Sequence, residues 1–555
     1  MAARRTVRDI RAERAVTQTR RATAFTTADA AMEAARAARQ RGELAAALEA
    51  AEAAAALAPD RHDAWVLLAA VASRANRPER AMEAQLRGLQ TTDDAVQQAR
   101  LDADRAWILA NLGRIAEAAA LARRAAPALE SEPVARGIVA ATLATAGFSE
   151  EAVPHLQAVT AAFPTRPDLW FNLAVACRTL GRLDEAEAAL ERAIAVGPGF
   201  LLSYEMLAGL RSATAEKNHV DRLRSVRARM APGRDAARID YALFKQLDDL
   251  GRTAEAWPVL QRAAAGAART ADWSEARDRT FADATMAAFP TDRRATSTGS
   301  PRPIFIVGLP RTGTTLLERV FSAHSRVRAL GELDAFGRAL KAAAGQPHLP
   351  YVDAPAIRDI DGIDWDRVGR AYRTETGDLG QGAEVVVDKL PLNFWYAGAI
   401  AAALPDAVMV HLRREPMDTL FGAYKLSFGP AFDWSYRFED LAGHYRQYRR
   451  LADHWRRTLG DRFVDLQYEA LVRDAAGVVP TLLQQVGLPF EEACLSPHLA
   501  EGSVQTPSAS QVRQPITDRN VGAWRRYAAE LEPLRALLEA DGFVDAQGDG
   551  VPWSA

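Results

Sequence analysis

A small set of residues in this chain has the types and spacing needed to handle an anionic group. Gly308-Leu309-Pro310-Arg311-Thr312-Gly313-Thr314-Thr315 follows at once on the β-branched run Pro303-Ile304-Phe305-Ile306-Val307. Leu316, Leu317, Val320 and Phe321 then mark the buried face of a helix. Strand, glycine-containing loop and helix, in that order, present backbone N–H groups and a helix N-terminus to a phosphate-like ligand. The loop departs from the nucleoside-triphosphate pattern Gly-x-x-x-x-Gly-Lys-Ser/Thr, because Thr314 stands where the lysine belongs. The cation sits earlier, as Arg311. A triphosphate requires that lysine and groups for Mg²⁺. A sulfuryl group carries less charge, so one arginine with N–H and hydroxyl donors is enough for it without metal.

Further chemistry-bearing residues follow in order. Glu332 lies in Val327-Arg328-Ala329-Leu330-Gly331-Glu332-Leu333, where a carboxylate in a partly dry pocket can take a proton. Val385-Val386-Val387-Asp388-Lys389 is a buried run ending in a cation, with Asp388 placed to orient Lys389. Ala407-Val408-Met409-Val410-His411-Leu412-Arg413-Arg414-Glu415-Pro416 carries two adjacent arginines after its β-branched part, and neighbours along a strand point to opposite sides. A guanidinium suits a terminal phosphate through paired hydrogen bonds. Tyr468 closes another strand-like run, Phe463–Gln467. Strand ends face the ligand crevice of open parallel sheets, so these residues are expected around one crevice. His411, His444 and His454 have no metal-ligand spacing and are expected to be structural. Phe394, Trp395 and Tyr396 read as core or cleft lining.

Pro310-Arg311-Thr312-Gly313-Thr314-Thr315 resembles the 5′-phosphosulfate loop of sulfotransferases, and the resemblance extends over about 303–530. It is similar above all to the tyrosylprotein sulfotransferases and to the bacterial tetratricopeptide-linked group. The resemblance implies 3′-phosphoadenosine 5′-phosphosulfate as donor and no metal. It implies that Glu332 is the general base, and that Lys389, with Arg311, stabilises charge on the departing 5′-phosphate. It implies that Arg414 binds the 3′-phosphate and that Tyr468 lies near the adenosine. Ser508 and Arg513, in Ser508-Ala509-Ser510-Gln511-Val512-Arg513, match a closing loop and are candidates for phosphate contact. Two positions depart from the family's pattern. Gly422 stands eight residues after Arg414, where the family has a serine, which leaves Thr419 as the candidate replacement hydroxyl. If the missing hydroxyl is a deficit, Gly422→Ser should tighten binding. Ala523 precedes Trp524 where a basic residue is usual, so Arg519, Arg525 or Arg526 must compensate.

The elements that must position these residues are an α/β parallel sheet over 303–545, a linker at 291–302, and a helical half at 26–290. In that half Leu112-Gly113, Ala146-Gly147 and Leu180-Gly181 recur every 34 residues, and Leu250-Gly251 lies about two periods on. Five positions after each glycine comes an alanine: Ala118, Ala152, Ala186 and Ala256. Gly42 and Asn76 extend the series upstream, with Ala47 and Ala81. Glycine turns the chain between two helices and the small alanine lets them approach. Trp170, Leu173, Ala174, Leu180, Gly181, Ala186 and Ala193 resemble a tetratricopeptide repeat, while 203–235 fits poorly. The fold class is therefore an all-α repeat array followed by a P-loop-like sulfotransferase domain. The repeats are expected to bind a protein or peptide, as partner or acceptor, or to brace the catalytic part. They should matter more to acceptor choice than to chemistry.

At 555 residues the chain exceeds one ordinary core, and a net charge of −2 gives no bulk attraction to nucleic acid. Two cysteines, one in each half, form no disulfide framework. No run reaches membrane-spanning length and the N-terminus has no apolar signal core, so a cytoplasmic location is expected. A sulfotransferase of a hydroxyl acceptor is the leading reading. The competitors are a nucleotide kinase and an inactive scaffold for a protein partner.

Overall fold

The computed structural model describes residues 25–292, 299–346, 360, 362–500 and 514–553. The chain forms two compact units, Met1–Phe163 and Pro164–Ala555. No helix among the described residues is long and apolar enough to cross a membrane.

The first unit is a succession of helices from Ala28–Gln40 to Ser149–Ala162, each packed against the next. Its repeat signature has a physical meaning at every turn. Asn76, the non-glycine member of the series, takes φ +54°, the left-handed conformation its glycine counterparts adopt. Ala47, Ala81, Ala118 and Ala152 have no exposed surface, as expected of contacts where any larger side chain would push two helices apart. The Trp65 indole N–H donates to the Pro59 carbonyl at 2.7 Å, which ties the start of one helix to the proline that stops the one before.

The second unit opens with helices of the same kind. Trp170 repeats the indole bond, to Pro164 O at 2.9 Å, and Ala186 and Ala256 are again fully buried. The poorly matching stretch contains a short extra helix, Val220–Arg227, between Leu201–Leu210 and Arg234–Asp249, and this breaks the period. Beyond Glu275–Ala288 come the strands β1 (Arg302–Gly308), β2 (Val327–Ala329), β3 (Val385–Asp388), β4 (Val408–Arg413) and β5 (Phe463–Gln467). They form one parallel sheet in the order β2-β3-β1-β4-β5.

Strand β1 shows why these runs read as continuously apolar: both its faces are covered. Phe305 and Val307 enter one core, which also holds Phe244, Trp257, Phe281 and Phe289 from the helices ahead of the sheet. Ile304 and Ile306 enter the other, with Leu317, Val410, Leu466 and Leu482. Helices of 164–290 are thus part of the sheet's own packing. Phe289 lies against Gly398, where a β-carbon would overlap its ring, and its carbonyl accepts from His454 Nε2 at 2.8 Å. The chain passes from β1 outward to β2 and β3, then crosses to β4 and β5. The switch point therefore lies at the C-terminal ends of β1 and β4.

Candidate functional site

A cavity of about 550 Å³ opens at this switch point. Pro310, Arg311, Gly313, Thr314, Thr315, Glu332, Arg414 and Tyr468 all line it, so residues read from four separate strand ends converge on one place. The loop after β1 turns through Arg311, whose φ of +72° is unusual for a side-chain-bearing residue, and Gly313, at φ +100°. Gly313 is required twice over, because a β-carbon there would overlap the Tyr468 ring. The helix Thr314–Ser322 starts at the next residue and points its N-terminus at the cavity. Thr312 is buried instead and its hydroxyl donates to Leu309 O at 2.9 Å, so it braces the loop.

Arg414 is held on three sides. It lies 4.7 Å over the Tyr468 ring, donates to Arg311 O at 3.2 Å, and also donates to Asn520 O. Asp418, 3.4 Å away, accepts in turn from the backbone N–H of Gly522 at 2.6 Å and of Trp524 at 3.1 Å. Asp418 thereby links the arginine to the segment that closes the cavity. Arg413 turns to the other face of the strand end and pairs with Asp465 at 3.3 Å.

Positive charge gathers around the cavity, with Asp418 beside Arg414 and Asp248 beside Lys425. Burial, with the like charge of Arg414 adding to it, pushes the Arg311 guanidinium down to about 10. Lys425, a further cavity residue, is lowered by burial and by Arg311, Arg526 and Arg414, against the opposing pull of Asp248. Cations that depress one another around a cavity are arranged for an anionic ligand.

Glu332 is half-exposed on the cavity wall, and its Oε1 lies 2.6 Å from Lys389 Nζ. Lys389 itself is buried behind it, with its backbone N–H on Gly331 O at 2.9 Å. A second carboxylate, Glu318 of the loop helix, stands 3.7 Å from the same ammonium. Burial raises its pKa, Lys389 opposing.

Several expectations need correction. Asp388 does not orient Lys389. Successive strand residues face opposite ways, so Asp388 accepts from Tyr372 OH at 3.2 Å and Asn393 Nδ2 at 3.3 Å inside the core. Burial holds its carboxyl well above the usual range. Thr419 is not on the cavity wall: it is buried, and its hydroxyl donates to Arg414 O at 3.3 Å. Gly422 has a steric reason to lack a side chain, since a β-carbon there would sit 3.2 Å from Arg311 Cβ. Of the arginines around Ala523, Arg519 reaches the cavity. Arg525 pairs with Asp549, and Arg526 with Asp248 at 3.0 Å. Ser508 and Arg513 lie outside the described residues. His411 sits between Asp465 and Tyr448, and His444 pairs with Asp278, so both serve packing. Phe394, Trp395 and Tyr396 belong to the core.

Sequence reading missed Lys425, Asp418, Glu318 and Asp248. Asp418 carried one signal, its place in the first turn of a helix opened by Pro416 two residues after the arginine pair.

Residues 303–492 match the model of the sulfotransferase family, and residues 32–96 and 140–199 match that of the tetratricopeptide repeat. An uncharacterized protein of Aquifex aeolicus (strain VF5) is 27% identical over 408 residues, which cover 71% of this chain and 53% of that protein. The chain thus spans about half the length of that curated relative. Among solved structures, the sulfotransferase domain of the Synechococcus PCC 7002 olefin synthase is 20% identical. That match covers 45% of this chain and 98% of that one, with a TM-score of 0.32. YrrB, a tetratricopeptide protein with an unusual peptide-binding site, is 22% identical, covering 30% of this chain and 86% of its own, with a TM-score of 0.26. The chain therefore carries tetratricopeptide repeats and, behind them, a sulfotransferase-family domain.

Proposed function

We propose that this sulfotransferase-family domain moves a sulfuryl group from 3′-phosphoadenosine 5′-phosphosulfate to a hydroxyl acceptor. The single observation that carries the reading is the convergence of Arg311, Arg414 and Lys425 on one cavity, beside a helix N-terminus and without a lysine at the triphosphate position. The 5′-phosphosulfate would lie over Gly313, Thr314 and Thr315, with Arg311 against it. Arg414 would take the 3′-phosphate, and Tyr468 would border the nucleoside. The acceptor oxygen attacks sulfur as the bond from sulfur to the 5′-phosphate oxygen breaks. Its proton passes to Glu332, and Lys389 and Arg311 offset the charge on the departing phosphate.

In sequence terms this assigns 26–290 to the repeats, 291–302 to a linker and 303–545 to transfer. A peptide acceptor presented by the repeats, a tyrosine included, fits the peptide-binding habit of such arrays. Titration calorimetry without Mg²⁺ tests the donor. Adenosine 3′,5′-bisphosphate should bind, and ATP should bind more weakly. Removing Arg414 should cost the bisphosphate about 1.5–3 kcal/mol more than adenosine 5′-phosphate. Tighter binding of ATP would favour a kinase, and binding without transfer of labelled sulfate to any hydroxyl acceptor would favour a scaffold.

A further inference from the structure

Resting on the donor site proposed above, the geometry points to Asp248 as its positioning residue: a carboxylate on the helical half that fixes Lys425 in the anion cavity. Asp248 is in the last turn of the helix Arg234–Asp249, just before the Leu250-Gly251 turn. Its Oδ2 lies 3.7 Å from Lys425 Nζ, while Oδ1 accepts from Tyr527 OH at 2.9 Å and pairs with Arg526 at 3.0 Å. The carboxylate is 12% exposed, so these contacts are only weakly screened. Folding of a repeat does not call for this aspartate. At the same place before the turn the other repeats have Ala110, Ala144 and Arg178.

Lys425 in turn is the one cavity-lining lysine among the described residues. It extends over the face of Phe421, its Nζ 4.7 Å from the ring centroid. The charged groups facing it are Asp248, Arg311, Arg526 and Arg414, three of them repulsive. Asp248 offsets that repulsion and holds the ammonium in place before a ligand arrives. The bound group is a multiply charged phosphate ester or phosphosulfate, whose negative charge takes over the neutralisation.

The test uses the full chain and calorimetry with two probes, adenosine 3′,5′-bisphosphate and inorganic pyrophosphate. Asp248→Asn keeps an oxygen for Tyr527 and should weaken both probes by about tenfold, as should Lys425→Gln. The double variant should lose little more than either, because each removes the same arrangement. Affinity of the wild type should fall at alkaline pH as Lys425 loses its proton. That fall should move to lower pH in Asp248→Asn and start at higher pH in Lys425→Gln, where only Arg311 is left to lose its proton. Tyr527→Phe, which disturbs the same carboxylate without removing its charge, should leave the pH position unchanged. Losses that add up, or a pH profile unmoved in Asp248→Asn, would overturn the assignment. If the wild type binds pyrophosphate but not the bisphosphate, the donor reading falls while the role of Asp248 is still read on pyrophosphate. A wild type that binds neither overturns both.

Discussion

Glu332 Oε1 and Lys389 Nζ are 2.6 Å apart, so the two groups assigned to opposite ends of the transfer reaction are hydrogen-bonded to each other before any substrate arrives. The same ammonium stands 3.7 Å from Glu318, and the three form one charge cluster running from the buried Lys389 to the half-exposed Glu332 on the cavity wall. Each member's contribution to rate must therefore depend on the others.

Glu332→Gln should lower turnover by about 10²–10⁴-fold with little change in nucleotide affinity. Lys389→Ala should cost at least about 10²-fold. Because the two side chains touch, the double variant should lose less than the product of the single losses. An acceptor phenol that is already ionised should partly rescue Glu332→Gln and not Lys389→Ala. Steady-state kinetics with neutral and ionised acceptors checks both points. Wild-type turnover of Glu332→Gln on a neutral hydroxyl would remove the base assignment, and equal rescue would remove the division of roles.

Gly422→Ser is expected to weaken the bisphosphate. The added β-carbon would come within 3.2 Å of Arg311 Cβ, on a residue already held at φ +72°. Overpacking of this kind costs about 1–3 kcal/mol. Gly422→Ala isolates the steric part and should weaken binding as much. A tighter complex with serine alone would show that a hydroxyl was wanted and the crowding was absorbed.

The buried carboxyl of Glu318 predicts a pH trend in stability. Its folded pKa is raised above the ordinary 4.5, chiefly by burial. A raised carboxyl pKa favours the folded state below that ordinary value, and the advantage is lost as pH rises through the folded value. Glu318→Gln stays neutral throughout. Its melting temperature should therefore gain on the wild type as pH is raised from 5 to 8. A gap moving the other way would mean that the Lys389 pairing outweighs desolvation.

A fragment beginning at Ser297 should fail to melt cooperatively. It would lack Phe244, Trp257, Phe281 and Phe289, all buried in the core that receives Phe305. Losing one large buried aromatic costs about 3–5 kcal/mol, and a whole domain has only about 5–15 kcal/mol in hand. A fragment from Pro164 keeps them and should melt near the full chain, as read by circular dichroism. A cooperative Ser297 fragment would favour a modular division at 291–302.

What could be read in the sequence was local. The loop from Pro310 to Thr315, the strand ends carrying Lys389 and Arg414, and the turn series through Gly42 and Asn76 each depend on neighbours along the chain. Sequence pattern showed those neighbours directly. Asp248, Lys425 and Glu318 were missed because their own segments read as ordinary helix, and their partners come from elements distant in the chain. The direction of Asp388 needed the pleat of β3, and the meaning of Gly422 needed the unusual backbone of Arg311.

The division at Phe163 and Pro164 has a use in engineering. Anyone exchanging the repeats between relatives would be drawn to cut at the proline- and serine-rich stretch before β1. That cut divides a shared core and separates Asp248 from Lys425. A chimera joined at Phe163 instead leaves both on the same side of the seam. Foreign repeats could then be grafted upstream while the charge balance around the cavity travels intact with the recipient.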